Sequence, residues 1–258
     1  MNPTTSKRVL LWCIAILAVV SVGQIPPISQ DLAYHQFADN KAYLGIPNML
    51  NVFSNLPFLI IGIYGLRVVI QEKRTLKSLY WGAITFSVGV TLVAFGSGYY
   101  HWQPTNQTLF WDRLPMTVGF MGLYAMVVSA FVRAKSGIAI LPWLIVVGVV
   151  SVIYWAFTEA AGVGDLRWYA LVQFLPMVLM LVILSTFHAK GVNKRHLIIV
   201  LLWYFLAKLL EFADAYILDF TNFISGHSLK HVAAAIACFY VIQWIQAVKY
   251  NLKENMQE

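Results

Sequence analysis

The sequence predicts an all-α integral membrane protein, a seven-helix transmembrane bundle with one extra N-terminal transmembrane helix. Of its 258 residues, 60% are hydrophobic and only 11% are charged, whereas soluble domains carry about 25% charged residues. The apolar residues also form long runs, and about 20 such residues cross the hydrocarbon core of a bilayer as a helix. A soluble fold is therefore excluded, and most of the surface is expected to face lipid.

Eight apolar runs of about 17 to 22 residues are the predicted spans. Barrel strands would be about ten residues long and would alternate in polarity, so all eight are predicted to be helices. Only the linker after the first run is long, and no internal repeat divides the chain. The spans are Val9–Ile25, Val52–Ile70, Leu79–Tyr100, Leu114–Val132, Ile138–Phe157, Tyr169–Phe187, Leu197–Leu218 and His231–Val248.

The first run follows two basic residues and fits either a signal peptide or a signal anchor. It is long, and Val22-Gly23-Gln24 is a poor cleavage site, so an anchor is favoured. The predicted organisation is an N-terminal anchor helix (1–30), an outer loop (31–50), a seven-helix bundle (51–248) and a cytoplasmic tail (249–258).

Lysine and arginine alternate between the two sides of this topology. Thirteen of the 18 lie on one side, four lie on the other, and Lys208 lies within a span. Basic residues concentrate on the cytoplasmic side of membrane proteins, so both termini are predicted to be cytoplasmic, in the plasma membrane if the source is prokaryotic. The net charge of +7 then reflects orientation. A membrane lipid is the expected partner, with no nucleic acid and no required protein.

Three of the six histidines lie at the outer ends of predicted spans. His101 ends the third span, and His227 and His231 open the eighth. Residues four apart project from one helix face, so His227 and His231 can share one metal ion. A third histidine at the same depth would complete a site with an open position for water, as in catalytic zinc sites. The alternative is that these are satisfied interfacial histidines.

Two further residues lie near His101. Ser97 precedes it by four residues, on the same helix face, and Asp112 lies at the outer start of the fourth span. Ser97 fits small-residue helix packing and Asp112 fits a helix cap. Alternatively, Asp112 takes a proton from a water that the metal activates. A Ser–His–Asp triad would leave His227 and His231 without a role, whereas metal-dependent hydrolysis uses all five residues.

The seventh span carries an ionisable stripe, Lys208, Glu211 and Asp214, at steps of three residues. Such groups usually face the interior of a bundle. Lys208 and Glu211 are predicted to form a structural ion pair. Asp214 either belongs to this stripe or holds the second ring nitrogen of a metal-bound histidine.

Polar residues also surround the start of the second span. Asn51, Ser54 and Asn55 are predicted to pair with neighbouring helices. The preceding loop offers oxygen ligands for calcium, but no spacing resembles an EF-hand, and solvated loop polarity is favoured. These oxygen-bearing residues are Asp31, Asp39, Asn40 and Asn48.

Together these motifs resemble the alkaline ceramidase family, which belongs to a group of seven-span membrane hydrolases that includes progestin/adiponectin-receptor-like proteins. The resemblance covers about residues 48–248 and leaves the first span as an extra helix. It rests on Asn51-x2-Ser54-Asn55, Ser97-x3-His101, Asp112 before Leu-Pro-Met, Glu211-x2-Asp214 and His227-x3-His231.

The resemblance implies that the three histidines bind zinc, that Ser97 and Asp112 act at the catalytic centre, and that the substrate is the amide bond of ceramide. The expected function is zinc-dependent lipid amide hydrolysis. An esterase or phospholipase of the same superfamily and a zinc-containing receptor without turnover are alternatives. A transporter would explain the ionisable stripe, but the sequence shows neither repeats nor broken helices near the midplane.

The sequence departs from the family at two places. Asn48 stands where a Glu is expected, and Tyr34 and Phe37 stand where acidic residues would lie. The family's calcium-binding stretch is therefore not reproduced. In the second place, Ser228-Leu229-Lys230 replaces a stretch that tends to carry an aromatic residue, so the acyl-chain or headgroup preference is expected to differ.

Overall fold

A computed structural model describes residues 3–189 and 192–254, with side chains to residue 248. Lys190, the side chains of Lys249 and Lys253, and the end of the predicted tail (255–258) lie outside it. The described chain is helical, because a segment in lipid must satisfy its backbone N–H and C=O groups internally. The helices are α1 (Pro3–Gln24), α2 (Met49–Phe53), α3 (Leu56–Gln71), α4 (Lys73–Leu76), α5 (Tyr80–Trp102), α6 (Asn106–Val127), α7 (Ala134–Ala160), α8 (Arg167–Thr186), α9 (Arg195–Phe212), α10 (Asp214–Thr221) and α11 (Gly226–Glu254).

Within the described residues, seven helical segments are long and apolar enough to cross a membrane, and the bent pair α9–α10 makes an eighth if it counts as one span. The predicted helical membrane bundle is thereby confirmed. The prediction of one continuous helix over Leu197–Leu218 was wrong, because the chain bends by 76° between α9 and α10. The break follows 18 residues of α9, or about 27 Å of helix, so it lies near one end of the bundle and not at its middle.

Asp214 gives the physical reason for this break. Its carboxylate accepts the backbone N–H of His227 at 2.7 Å and that of Ala38 at 3.2 Å. The first N–H groups of a helix have no partner within the helix, and α11 begins buried against the end of α9. A Cβ on Gly226 would collide with the Leu210 carbonyl and with the Asp214 backbone. The bend therefore lets α11 begin in close contact with the end of α9 while the His227 N–H keeps a hydrogen-bond partner.

Helices α5 and α6 form the tightest pair at the centre of the bundle. A Cβ on Gly96 would collide with the backbone carbonyl of Trp111, while one on Gly89 would lie 2.5 Å from the Gly119 nitrogen. Small residues permit this close backbone approach. The contact at Gly96 brings Ser97 of α5 next to Asp112 of α6.

The remaining helices leave one side of the bundle loosely closed. Helix α9 packs mainly against α11, whereas α8 packs against α1, α6 and α7. Helix α1 lies outside the bundle, with Trp12, Ile16 and Leu17 exposed as expected of a lipid-facing helix. The Lys7 ammonium ties it to the Thr186 carbonyl at 2.5 Å.

The segment between α1 and α2 crosses the end of the bundle that carries His101 and His227, here called the histidine end. The Leu166 N–H donates to the Ile28 carbonyl at 2.8 Å, and the Gln30 N–H donates to the Glu159 carboxylate at 2.5 Å. Nearby, Arg167 binds the buried carboxylate of Asp165 and lowers its pKa. This segment therefore forms a fixed cover over one end of the cavity described below.

Two glycines of α5 provide a matched test of the α5–α6 contact. Gly96→Ala is expected to destabilise the protein by about 1–3 kcal/mol, because the new methyl group collides with α6. Gly98→Ala is the control, since a Cβ at Gly98 meets nothing within 4 Å, and alanine favours the helix. Thermal unfolding in detergent measures both variants, and equal effects would contradict the close packing.

Candidate metal centre

The structure brings three histidines from two helices into one buried cluster. His101 ends α5, and His227 and His231 lie on the first turns of α11; their side chains are at most 5% exposed. One nitrogen of each ring lies within 4.8 Å of those of the other two. The cluster can hold a metal ion, and it joins residues that lie up to 130 positions apart in the sequence.

The geometry and chemistry of the cluster suit a tetrahedral ion. The Nε2 atoms of His101 and His231 are 3.2 Å apart. Two nitrogens bound to zinc at about 2.0–2.1 Å in tetrahedral geometry would be separated by about 3.3 Å. Neutral imidazoles are the form that binds a metal. Three rings whose centroids lie 4.7–5.0 Å apart in a buried site cannot all be protonated without strong repulsion.

A hydrogen-bond chain fixes the tautomer of His231. Its Nδ1 lies 2.7 Å from the Ser54 hydroxyl, and that hydroxyl donates to the Asn51 carbonyl at 2.9 Å. With the hydroxyl proton on the carbonyl, the tautomer that satisfies both contacts has its proton on Nδ1, which donates to Ser54. The Nε2 lone pair of His231 is then left facing His101. The sequence offered Asp214 as one candidate to hold the second ring nitrogen of a metal-bound histidine. In the structure, Ser54 holds that nitrogen of His231.

Lys230 lies beside His227 of the cluster. Its ammonium is 2.8 Å from Nε2 of His227 and 3.0 Å from the Glu211 carboxylate, which also binds Lys208 at 2.7 Å. An ammonium only donates hydrogen bonds, so His227 Nε2 accepts and is unprotonated in this contact. Lys208 and Glu211 form the predicted ion pair, and Lys230 extends it to the histidines.

Phe37 covers the cluster from the segment before α2. Its ring centroid is 4.7 Å from that of His101 and 4.9 Å from that of His227. Nδ1 of His101 is buried without a hydrogen-bond partner. Apolar packing on two imidazoles limits access of bulk water and keeps the site at low dielectric.

Ser97 and Asp112 meet next to the histidines, where their side chains are close enough to interact. Among the described side chains, no hydrogen bond joins Ser97 to a histidine, so the alternative of a Ser–His–Asp triad is not formed. Both residues, together with His231 and Lys230, line a cavity of about 350 Å³. The polar residues gather at the histidine end of this cavity.

The rest of the cavity is apolar and runs into the bundle. Its walls come from α3, α5, α6, α8, α9 and α11, and Tyr34 closes its histidine end. A site that joins a few polar groups to a long apolar pocket is typical of lipid binding. The loose contact between α8 and α9 lies along one wall. The deeper lining includes Phe58, Phe86, Val90, Phe120, Leu123, Met177 and Val241.

The other residues singled out from the sequence hold the loops and helices around the cluster. Asn51 accepts from the Ser228 hydroxyl at 2.7 Å, and Asn55 donates to the Asn51 carbonyl at 2.8 Å. Asn48 donates to the His101 carbonyl at 2.9 Å, so it supports a metal-site residue directly.

The four residues considered for calcium are spread over the covering segment. The Asp31 carboxylate accepts from the Ala33 N–H and caps a short turn, while Asn40 is exposed. The Asp39 carboxylate is buried and accepts from the Lys41 N–H at 3.2 Å. Asp31 and Asn40 are exposed, as the prediction of solvated loop polarity requires. The prediction was wrong for Asp39 and Asn48, which are buried and hold the loop and α5 through hydrogen bonds.

Sequence reasoning missed three residues at this end. Lys230 was counted only as a loop charge, although its spacing of three from His227 places both on one helix face. Arg113 was likewise counted as an outer charge, but it is buried and lines the cavity. Tyr34 lies over the cavity beside Glu211, and no sequence signal pointed to it.

The family model described as Ceramidase matches residues 42–258 of this chain. The match includes the three histidines, Ser97, Asp112 and Lys230, and it excludes α1 and the covering residues Tyr34 and Phe37. Comparison with curated proteins and with solved structures gives no significant match.

Removal of any ligand histidine is expected to abolish metal binding. His101→Ala, His227→Ala and His231→Ala should each reduce bound metal from about one ion per chain to background, because two imidazoles hold an ion far less tightly than three. Elemental analysis of purified protein measures this. His188→Ala, at an exposed position near the other end of α8, should retain the ion; its loss there too would point to adventitious binding.

Loss of the Ser54 hydroxyl is expected to weaken the site without removing a ligand. Ser54→Ala should lower metal affinity by about 10–100-fold, because the ring of His231 loses the group that orients it. Competition with a chelator of known affinity provides the measurement. Ser185→Ala, whose exposed hydroxyl bonds only within α8, is the matched control, and unchanged affinity in Ser54→Ala would argue against the tautomer assignment.

Proposed function

This chain belongs to the ceramidase family, and we propose that it is a zinc-dependent membrane amidase that hydrolyses the N-acyl bond of ceramide-like lipids. The family supports a hydrolase acting on amide bonds. One observation of the site carries the proposal: the buried three-histidine cluster adjoins the Ser97–Asp112 pair at the polar end of an apolar cavity. A ceramide has its amide at headgroup depth and both chains in hydrocarbon, which matches this division of the cavity.

The position of the site follows from the distribution of basic residues. Four of the 18 Lys and Arg residues belong to the histidine end, and 13 belong to the opposite side. By the positive-inside rule, the histidine end faces the exterior and both termini face the cytoplasm. The amide of a lipid in the outer leaflet then lies at the depth of the cluster.

Each residue of the site has a defined part in the proposed hydrolysis. A zinc ion held by the three histidines would supply a Lewis acid that activates water and polarises the amide carbonyl. Asp112 accepts the proton of the attacking water and then delivers it to the leaving nitrogen, as a general base and acid. Ser97, which holds the Asp112 carboxylate in the ground state, can turn its O–H toward the oxyanion as the carbonyl is attacked. Phe37 excludes bulk water.

A broken helix is a feature of many transporters, but here it has another explanation. Transporters place such breaks near the midplane around the transported solute. The break between α9 and α10 lies near the histidine end, and its carboxylate, Asp214, caps α11. The break between α9 and α10 therefore supports the start of α11 at the proposed amidase site and does not line an ion pathway.

Purified protein incubated with a panel of N-acyl lipids tests the proposal. We expect fatty acid release from at least one amide lipid, detected by mass spectrometry, and loss of release when a chelator removes the metal. Release only from ester lipids would indicate another lipid hydrolase of the superfamily. Stable binding of a neutral lipid with no product would favour a receptor, and neither outcome is compatible with an amidase.

Substitution of the two polar residues separates catalysis from metal binding. Asp112→Asn should lower kcat by about 10²–10⁴-fold and Ser97→Ala by about 10²-fold, with the metal content unchanged in both. Asp219→Asn, at an exposed position of α10, should behave as the parent enzyme. Full activity of Asp112→Asn would exclude this residue as the proton-transfer group.

A further inference from the structure

Arg113 is a buried cation that the proposed hydrolysis does not use. Its side chain is only 6% exposed and lines the cavity at its histidine end. Among the described residues, the ion pairs are Arg167–Asp165, Lys208–Glu211 and Lys230–Glu211, so Arg113 has no carboxylate partner. A buried charge without a counter-ion is strongly unfavourable, and a protein retains one mainly where it has a function.

The surroundings of the guanidinium leave one of its nitrogens unpaired among the described residues. Its carbon lies 4.1 Å from the ring centroid of Trp155 and 4.7 Å from that of Tyr169, so aromatic rings lie against it. Nη2 donates to the Gln30 side-chain oxygen at 2.6 Å. Nη1 is buried and has no hydrogen-bond partner within the described part of the chain. Arg113, which lines the cavity, therefore carries one donor that no described group satisfies.

Nearby acidic groups are engaged elsewhere. The Glu159 carboxylate accepts from the Gln30 N–H and from the Trp155 indole. Asp112 interacts with Ser97 and, electrostatically, with Arg113 without forming an ion pair within 4 Å of it, and Glu211 is shared by two lysines. The guanidinium is therefore held in a fixed orientation with an unmet need for an acceptor, ideally an anionic one.

From this arrangement we propose that Arg113 binds an oxyanion on the amine part of the lipid substrate. The inference rests on the proposed amidase function and narrows its substrate class to N-acyl lipids that carry a phosphate, sulfonate or carboxylate group. Asp112 and Arg113 both line the cavity and interact electrostatically, so an amide placed at Asp112 has its polar end near Arg113 and its chains in the apolar part of the cavity. Guanidinium groups bind such oxyanions through charge-assisted hydrogen bonds.

Activity measurements with matched substrates provide the first test. We compare ceramide, ceramide 1-phosphate, N-palmitoylglycine and N-palmitoyltaurine, all assayed at one ionic strength. The parent protein should cleave at least one anionic lipid with a kcat/KM about tenfold or more above that of ceramide. Preference for ceramide over all three anionic lipids would overturn the inference and leave the amidase proposal standing.

Variants assign this preference to Arg113. Arg113→Gln should reduce the ratio of anionic to neutral kcat/KM to about one, and Arg113→Lys should retain part of it. Arg167→Gln is the matched control, because this arginine lies at the same end but is paired with Asp165 and does not line the main cavity. If the role of Arg113 were purely structural, Arg113→Gln would lower kcat/KM for anionic and neutral lipids by the same factor. An unchanged ratio of the two kcat/KM values in Arg113→Gln would overturn the inference.

A binding experiment separates this inference from turnover. Dodecyl phosphate should bind the parent protein about tenfold or more tightly than it binds Arg113→Gln. Thermal shifts measure the binding, and dodecyl maltoside is the uncharged reference ligand. Inorganic phosphate as competitor distinguishes a lipid headgroup from a free anion: competition at micromolar concentration would favour the free ion and overturn the lipid assignment.

If no amide lipid is cleaved but dodecyl phosphate binding depends on Arg113, the amidase proposal fails while the anion site stands. If Arg113→Gln does not fold, Arg113→Lys and the preference of the parent protein decide the question.

Discussion

The structure depends on one electrostatic constraint, the burial of three imidazoles around a common point. At low dielectric their rings must be neutral, and the hydrogen bond from His231 to Ser54 leaves a ring lone pair facing the cluster. Nε2 of His101 lies 3.2 Å from that of His231, within hydrogen-bond distance, so a neutral pair can share one proton between these two atoms. A divalent ion bound by both nitrogens would take the place of that proton and would link α5 to α11 where the two helices bound the cavity.

The segment before the bundle shows how the chain supports this centre without the acidic stretch expected of the family. Phe37 packs on two of the imidazoles, and the Ala38 N–H binds Asp214. Asn48 holds the backbone of His101. Aromatic packing and amide hydrogen bonds thus order this segment, and they connect α5, α10 and α11 through one short stretch of chain.

The parts of the structure that the sequence revealed are those with a local or periodic signal. Span lengths, the depth of His101 and the spacing of His227 and His231 follow from hydropathy and from 3.6 residues per turn. The bend after Phe212 carries no such signal, because the apolar pattern continues into Ile217 and Leu218 and the cause is a distant backbone N–H. The surroundings of Arg113 were equally hidden, since Trp155 and Tyr169 come from two other helices. Asp214 was noticed for its charge, but its partner could only be found in three dimensions.

The confinement of all reactive groups to one end of the bundle has a consequence for membrane asymmetry. Moving a polar lipid headgroup across the hydrocarbon core is slow without a transporter, since the group must shed its hydration. Molecules in the opposite monolayer would stay out of reach until they flip. An enzyme of this shape would therefore reshape the composition of a single monolayer, and the supply of its substrate would depend on the cell's flippases.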